Sequence, residues 1–273
     1  MSQAIDILEE SDSQSISDEE DEKSRVLRIF KGNNIDRQIR SLEKYKWLND
    51  NVVNFVLRSL SLCKGKRKDI IVLDSLLVNQ LKACYVEKEN KEKIMRIIQE
   101  KVKEVDLDTL KGLNILLPMN KGNSHWIIVE IKLFTNIITI FDSYHSPLVS
   151  EEKFYVIAVL NGARALFLQS KVNNQKFNLF KNSRFIIMVN KNIPFQKNGY
   201  DCGLYCVLYA TYLYFGVEDK MVFGSLFVSY FRYFLYCHFK HKPNDLITFE
   251  EDIWEHATNE TEATNIDYGK YHV

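Results

Sequence analysis

The sequence predicts an α+β fold, and three observations carry it. Helical spacing dominates the early part of the chain and its last third, while short β-branched and aromatic runs fill the middle. Two of those middle runs are divided by a short turn, as in a hairpin. The composition is ordinary for a globular protein, with 46% apolar and 26% charged residues, and 17 Phe and 14 Tyr suit an aromatic-rich core. At 273 residues there is enough chain for one sizeable core or two small ones. Collagen-like, coiled-coil and mostly disordered classes are excluded, and 10 Gly with 4 Pro leave little room for long linkers.

The elements follow in order. Residues 1–25 hold nine acidic and two basic residues and six serines, and they read as a disordered acidic tail. Removing them from totals of 36 acidic and 36 basic leaves 27 and 34, a body of net charge +7. That balance does not by itself argue for nucleic acid. Residues 26–44 read as a lead-in arm. Trp47-Leu48-Asn49-Asp50 precedes an amphipathic helix from Asn51 to Leu62, with Val52, Val53, Phe55, Val56, Leu57 and Leu60 on its apolar positions. Asn49 or Asp50 supplies its N-cap. The run Lys64-Gly65-Lys66-Arg67-Lys68 is a solvated loop. Ile70 to Leu73 is a strand, Asp74 starts a helix through Cys84, and Glu87 to Lys103 is a charged helix.

Leu113 to Pro118 reads as a buried strand ended by proline. Trp126 to Lys132 and Asn136 to Phe141 form the hairpin, turning at Phe134-Thr135. Glu151 to Leu168 is helical, Phe185 to Asn190 is a strand leading to Pro194, Cys202 to Phe215 is an apolar helix, and Phe223 to His241 is an aromatic one. Residues 246–273 form an acidic extension, which leaves 45–245 as the folded domain. No apolar run reaches the roughly 20 residues of a membrane span. Five scattered cysteines with no secretory signal before them predict a reducing, intracellular compartment.

Chemistry concentrates in Gln196-Lys197-Asn198-Gly199-Tyr200-Asp201-Cys202-Gly203. A polar loop runs directly into an apolar helix with a cysteine at the junction. Unpaired N–H groups and partial positive charge at a helix start favour thiolate. Gly203 would let the backbone turn closely beneath a bound carbonyl, and Gln196 could donate into an oxyanion hole beside the Cys202 N–H. Spacing alone leaves a buried structural cysteine equally open. Cys206, Cys63, Cys84 and Cys237 read as core. A nucleophilic cysteine needs a base and an orienting group. His145, His256 and His272 fall in loop or tail, and Cys237, His238 and His241 have the wrong spacing for a zinc module. His125 starts one strand of the hairpin and Asp142 ends the other. The midpoint between them lies at Leu133-Phe134, at the expected turn, so the two should face each other. Taken singly, they are an edge histidine and a turn residue.

Together these pieces resemble the ubiquitin-like-protein proteases, or sentrin-specific (SUMO) proteases, relatives of the adenovirus protease. The resemblance covers about residues 45–240. It rests on Trp47-Leu48-Asn49-Asp50, Ser124-His125-Trp126, Phe141-Asp142-Ser143 and Gln196 through Cys202-Gly203, in the family's order. It implies a papain-like, adenain-type cysteine protease with a central mixed sheet flanked by helices. By carry-over Cys202 is the nucleophile, His125 the base, Asp142 its orienter and Gln196 the oxyanion donor. Trp47 and Trp126 would line a tunnel over a Gly-Gly tail, where any Cβ would clash. Asp50 would meet an arginine of the modifier. Core packing and a plain N-cap are the alternative readings of the tryptophans and Asp50.

The implied activity is isopeptidase or endopeptidase cleavage after the Gly-Gly of a ubiquitin-like modifier, SUMO first. A deneddylase or deubiquitinase is the runner-up, a pathogen effector in the host cytosol included. An acetyltransferase or an inactive modifier-binding module of the same fold is a more distant reading. The loop Ser143-Tyr144-His145-Ser146-Pro147 resembles deneddylase-like and protist branches as much as the SUMO branch. The expected partner is the modifier with its conjugates. No metal, cofactor, nucleic acid or membrane is expected. The protein should be a monomer in the nucleus or cytoplasm.

Overall fold

The computed structural model describes residues 35–63, 69–86, 114–133, 135–169, 185–243 and 245–249, with single positions at 24, 93 and 96. The acidic tail of residues 1–25 apart from Ser24, the basic run 64–68, most of the Glu87–Lys103 segment, Phe134, residues 170–184 and residues 250–273 lie outside them, as do the side chains of residues 82–86 and 162–169.

The described elements are α1 (Ile35–Ser41), α2 (Asp50–Ser61), β1 (Ile70–Val72), α3 (Leu76–Val86), β2 (Asn114–Lys121), β3 (His125–Lys132), β4 (Ile137–Phe141), α4 (Ser150–Gln169), β5 (Ile186–Val189), α5 (Cys202–Phe215) and α6 (Ser225–His241). The strands form one mixed sheet in the order β1-β2-β3-β4-β5. β2-β3 and β3-β4 pair antiparallel, while β1-β2 and β4-β5 pair parallel. The α+β expectation and its mixed central sheet hold. The lead-in arm contains a helix, α1, which its mixed polar sequence does not advertise.

β3 lies at the centre of the sheet and is buried on both faces. Trp126 and Ile128 face one core with Leu116, Phe141 and the helices α2, α5 and α6. Ile127, Val129 and Ile131 face the other, with α3 and α4. This two-sided burial explains why the run is nearly continuously apolar instead of alternating. All residues of α5 from Cys202 to Tyr214 are buried, which explains its lack of an amphipathic pattern.

Two expectations are corrected. Pro118 does not end its strand: β2 continues to Lys121, with Pro118 opposite Ile128. The backbone of Asn114 donates to Asp69 and that of Leu116 accepts from Leu73, so even-numbered residues of β2 point their N–H and C=O groups toward β1. Pro118 therefore presents its missing N–H on the flank beyond Val72, where β1 has ended, and no ladder bond is lost. The hairpin register is also displaced by two residues. Ile128 lies opposite Phe141, whereas a turn centred at Leu133-Phe134 would oppose it to Thr139. Asn136 belongs to the turn, with φ 58°. Side chains alternate with period two, so a two-residue shift keeps every residue on its expected face.

α6 is joined to the start of α5 by one buried cation. Arg232 donates to Asp201 Oδ1 from Nη2 (2.7 Å) and Nε (3.2 Å), and to the carbonyls of Ser41 (3.3 Å), which ends α1, and Glu43 (3.1 Å) just after it. Both partners are buried, so removing one strands the other's charge. Arg232→Met should lower unfolding free energy by roughly 3 kcal/mol, read as a lower urea midpoint at unchanged slope.

Candidate active site

Cys202 opens α5. The preceding residue, Asp201, makes no side-chain cap bond to the helix. Its carboxylate instead binds Arg232 and accepts from Asn198 Nδ2 at 2.6 Å. The helix thus begins at Cys202 without the usual side-chain cap on its first N–H groups. Asn198 organises the loop before it, its Oδ1 accepting from the N–H groups of Tyr200 (3.2 Å) and Asp201 (3.0 Å).

His125 and Asp142 meet as expected: Nε2 and Oδ1 are 2.7 Å apart. The displaced register makes them diagonal rather than direct neighbours, a separation that a histidine spans. With Nε2 engaged by Asp142, Nδ1 is the nitrogen left for Cys202, which also hydrogen-bonds the ring. Burial by itself would lower the His125 pKa. The hydrogen bonds and negative charges of Asp142 and Cys202 outweigh it and raise the value to about 9. Burial likewise pushes Asp142 up, but bonds from His125, Ser146 and the Tyr144 N–H bring it down to about 2. The Tyr144 ring stacks on the imidazole, centroids 4.8 Å apart, and its hydroxyl donates to the Asn198 carbonyl.

The remaining predicted residues fall around this pair. Trp47 is 54% exposed and Trp126 only 3%. Their ring N–H groups bind the Gly199 carbonyl (2.7 Å) and the Leu48 carbonyl (3.2 Å), which ties both indoles to the two segments flanking Cys202. Asn49, not Asp50, is the N-cap of α2: its Oδ1 accepts from Val52 N–H at 3.0 Å. Asp50 is the first residue of the helix and is half-buried.

Two readings change. Gly203 was expected to make room for a substrate carbonyl. The side on which a Cβ would stand faces protein, 2.8 Å from Leu48 Cβ and 3.3 Å from Trp126 Cδ1. Glycine is required there because α5 packs directly on the Trp47-Leu48 segment. Gln196 does not point its amide into open space. Nε2 donates to the Asn198 carbonyl (2.6 Å) and Oδ1 (3.3 Å), and Oε1 accepts from Ser143 Oγ (2.8 Å). A buried amide satisfies its donors, and Asn198 supplies two acceptors.

Sequence reading missed Lys121, Ser143, Tyr144, Ser146, Asn198 and Arg232. A lone arginine in the aromatic run 223–241 was the available signal, since such residues are rarely buried unpaired. Among the described residues no group of three or more His, Cys, Asp or Glu side chains could hold a metal ion, and no helix is long and apolar enough to cross a membrane.

A cysteine at the mouth of a buried helix, beside a carboxylate-bound histidine on the neighbouring sheet, defines a cysteine-peptidase domain of α+β architecture. The chain belongs to the Ulp1 protease family: the model of that family's C-terminal catalytic domain matches residues 46–240. It is similar to ubiquitin-like-specific protease 1 of Saccharomyces cerevisiae, 23% identical over 181 residues, covering 64% of this chain and 25% of that protein. It is also similar to a probable sentrin-specific protease 8 of Dictyostelium discoideum, 28% identical over 179 residues, covering 61% of this chain and 65% of that protein. The chain thus spans a quarter of one relative and just under two thirds of the other. The fold is shared with the Ulp1 protease domain solved in complex with Smt3, the yeast ortholog of SUMO. That match has a TM-score of 0.52 at 19% identity, covering 83% of this chain and 96% of that one. A SUMO protease Ulp1 with its catalytic cysteine oxidised to a sulfinic acid gives 0.53 at 20% identity, over 83% and 96% of the two chains.

The pair makes stability depend on pH in two directions. His125 is raised in the folded state, so its contribution is full below about 6.5 and is lost as pH rises through about 9. Asp142 is lowered, so its contribution is full above 3.8 and is lost as pH falls through about 2. The stability difference between the native protein and His125→Asn, measured by urea denaturation, should be greatest near pH 4–6.5 and shrink toward pH 9.

Proposed function

We propose that this chain is a cysteine protease that cleaves after the Gly-Gly tail of a ubiquitin-like modifier, with SUMO as the modifier. The observation that carries the reading is the 2.7 Å bond between His125 Nε2 and Asp142, which turns the other ring nitrogen to Cys202 at the start of α5. In this scheme His125 holds the thiol proton, and the Cys202 thiolate attacks the carbonyl carbon of the terminal glycine. The amine of the target lysine or peptide leaves with that proton. Water, activated by the same imidazole, then releases the modifier. Asp142 holds the ring orientation and stabilises the imidazolium. The negative oxygen of each tetrahedral stage takes the Cys202 N–H and the Gln196 amide. Gln196 gives up its longer contact, 3.3 Å to Asn198 Oδ1, to serve it.

Trp47 and Trp126 act as an unequal clamp in this reading. Trp126 is the fixed wall, held in the core, and Trp47 the exposed one. Asp50 meets an arginine of the modifier. A working thiol calls for a reducing compartment, nucleus or cytosol. A NEDD-type modifier is the second reading, because the Ser143–Pro147 loop resembles the deneddylase-like and protist branches as much as the SUMO branch.

A panel of SUMO, NEDD-type and ubiquitin vinyl sulfone probes tests the assignment. Wild type should be labelled, by SUMO most rapidly, while Cys202→Ala takes no label yet still binds the modifier. Labelling of Cys202→Ala would refute the nucleophile, and faster labelling by another probe would replace the modifier. A modifier–fluorophore substrate ending in Gly-Ala should turn over roughly a hundredfold more slowly than one ending in Gly-Gly, because a Cβ between the indoles displaces the scissile carbonyl by about 1 Å. Equal rates would show that no clamp exists.

A further inference from the structure

The chemistry assigned to Cys202 and His125 leaves a largely buried cation next to the pair unused. Lys121 ends β2 directly opposite His125, and its side chain is 12% exposed. Its ammonium donates to Ser146 Oγ and the Pro147 carbonyl, both at 3.1 Å. It also lies 3.6 Å from Asp142 Oδ2 and 3.6 Å from Glu152 Oε2. Glu152 is in the first turn of α4, is buried, and accepts the Val149 N–H at 2.8 Å.

We propose that Lys121 is a positioning residue that sets the charge balance of the His125–Asp142 pair through Asp142 Oδ2, with Glu152 as its counterweight. The inference rests on His125 being the base. Asp142 divides its two oxygens. Oδ1 takes His125 Nε2 and the Tyr144 N–H, while Oδ2 takes the Ser146 hydroxyl and faces Lys121. A second cation on the same carboxylate competes with the imidazolium for its charge. Without Lys121, Asp142 would hold the imidazolium more firmly and slow delivery of its proton to the leaving amine. Glu152 draws part of the Lys121 charge away, which limits that competition.

The other titratable groups facing this cluster are Cys202 and Tyr144 against the imidazole, Tyr209 against Asp142, and His145, whose ring packs on Phe195. Burial raises both tyrosines, so they stay neutral in the working range. Each of the two glutamine substitutions below changes the charge of Lys121 or of Glu152 and of no other group, and that change sets the sign of its effect.

The test is a titration of the His125 ring by nitrogen NMR in protein carrying labelled histidine, with His125→Asn identifying the signal. Lys121→Gln keeps a donor for Ser146 and Pro147 but removes the charge. It should raise the His125 transition by roughly half to one pH unit. Glu152→Gln frees the Lys121 charge and should lower the transition by a similar amount. Lys121→Arg should restore the wild-type value. The alkaline limb of kcat/KM on a modifier–fluorophore substrate should move in parallel. An unmoved His125 transition in Lys121→Gln or in Glu152→Gln would overturn the proposal, whatever happens to rate or melting temperature, and leave Lys121 as a loop anchor. If Lys121→Gln does not fold, the downward shift in Glu152→Gln decides alone. Failure of the protease reading is a separate result, seen as a wild type that no probe labels while the His125 shifts persist.

Discussion

The site depends on the burial of α5. From Cys202 to Tyr214 that helix touches protein on every side, with β3 beneath it and α2 and α6 packed beside it. A helix held this way cannot slide or roll without opening a cavity in a close-packed core. Its first residue is therefore fixed in space by the packing of the whole helix, and the segments around it adapt. The Trp47-Leu48 stretch presses against Gly203, with no space for a methyl group between them. Arg232 holds Asp201 from behind, and Asn198 gathers the loop that leads in. A single rigid body thus positions the Cys202 thiol, which sits on no loop of its own.

Convergence on Asp142 is the second organising feature. One buried carboxylate takes donors from β3, from two residues of its own following turn, and faces an ammonium from β2. Those groups come from two strand ends and one turn. The carboxylate therefore works as the joint that fastens the strand ends together, as well as the group that orients an imidazole. Desolvating a carboxylate this completely is costly unless its lone pairs are filled, and here they are. The ring of Tyr144 on the outer face of the imidazole completes the enclosure.

Much of this was legible in the residues and some was not. The hairpin placed His125 near Asp142 even though its register was read two residues out, because side-chain direction survives any even shift. Cys202 at a helix start was plain from the change between a polar loop and an apolar run. Long-range polar partners were not legible. Nothing near Arg232 in sequence points to Asp201, and nothing near Lys121 points to Glu152, since those contacts exist only after strands and helices are assembled. Gly203 was correctly singled out for the wrong neighbour. Its conformational freedom is visible in sequence, whereas the atom it makes room for is not. Pro118 misled because proline punctuates most strands, and only the short length of β1 makes its place tolerable.

That same proline also spares the interior a polar group. β1 covers only three residues of β2, and Pro118 lies two residues past that pairing, itself buried. A buried N–H without a partner is costly. At Pro118 there is no N–H to satisfy on the flank that β1 leaves. The ring thus fills the sheet where β1 runs out, on the strand that leads to Lys121. Any other residue at 118 could keep its place opposite Ile128, and would bring with it a backbone donor that β1 is too short to receive.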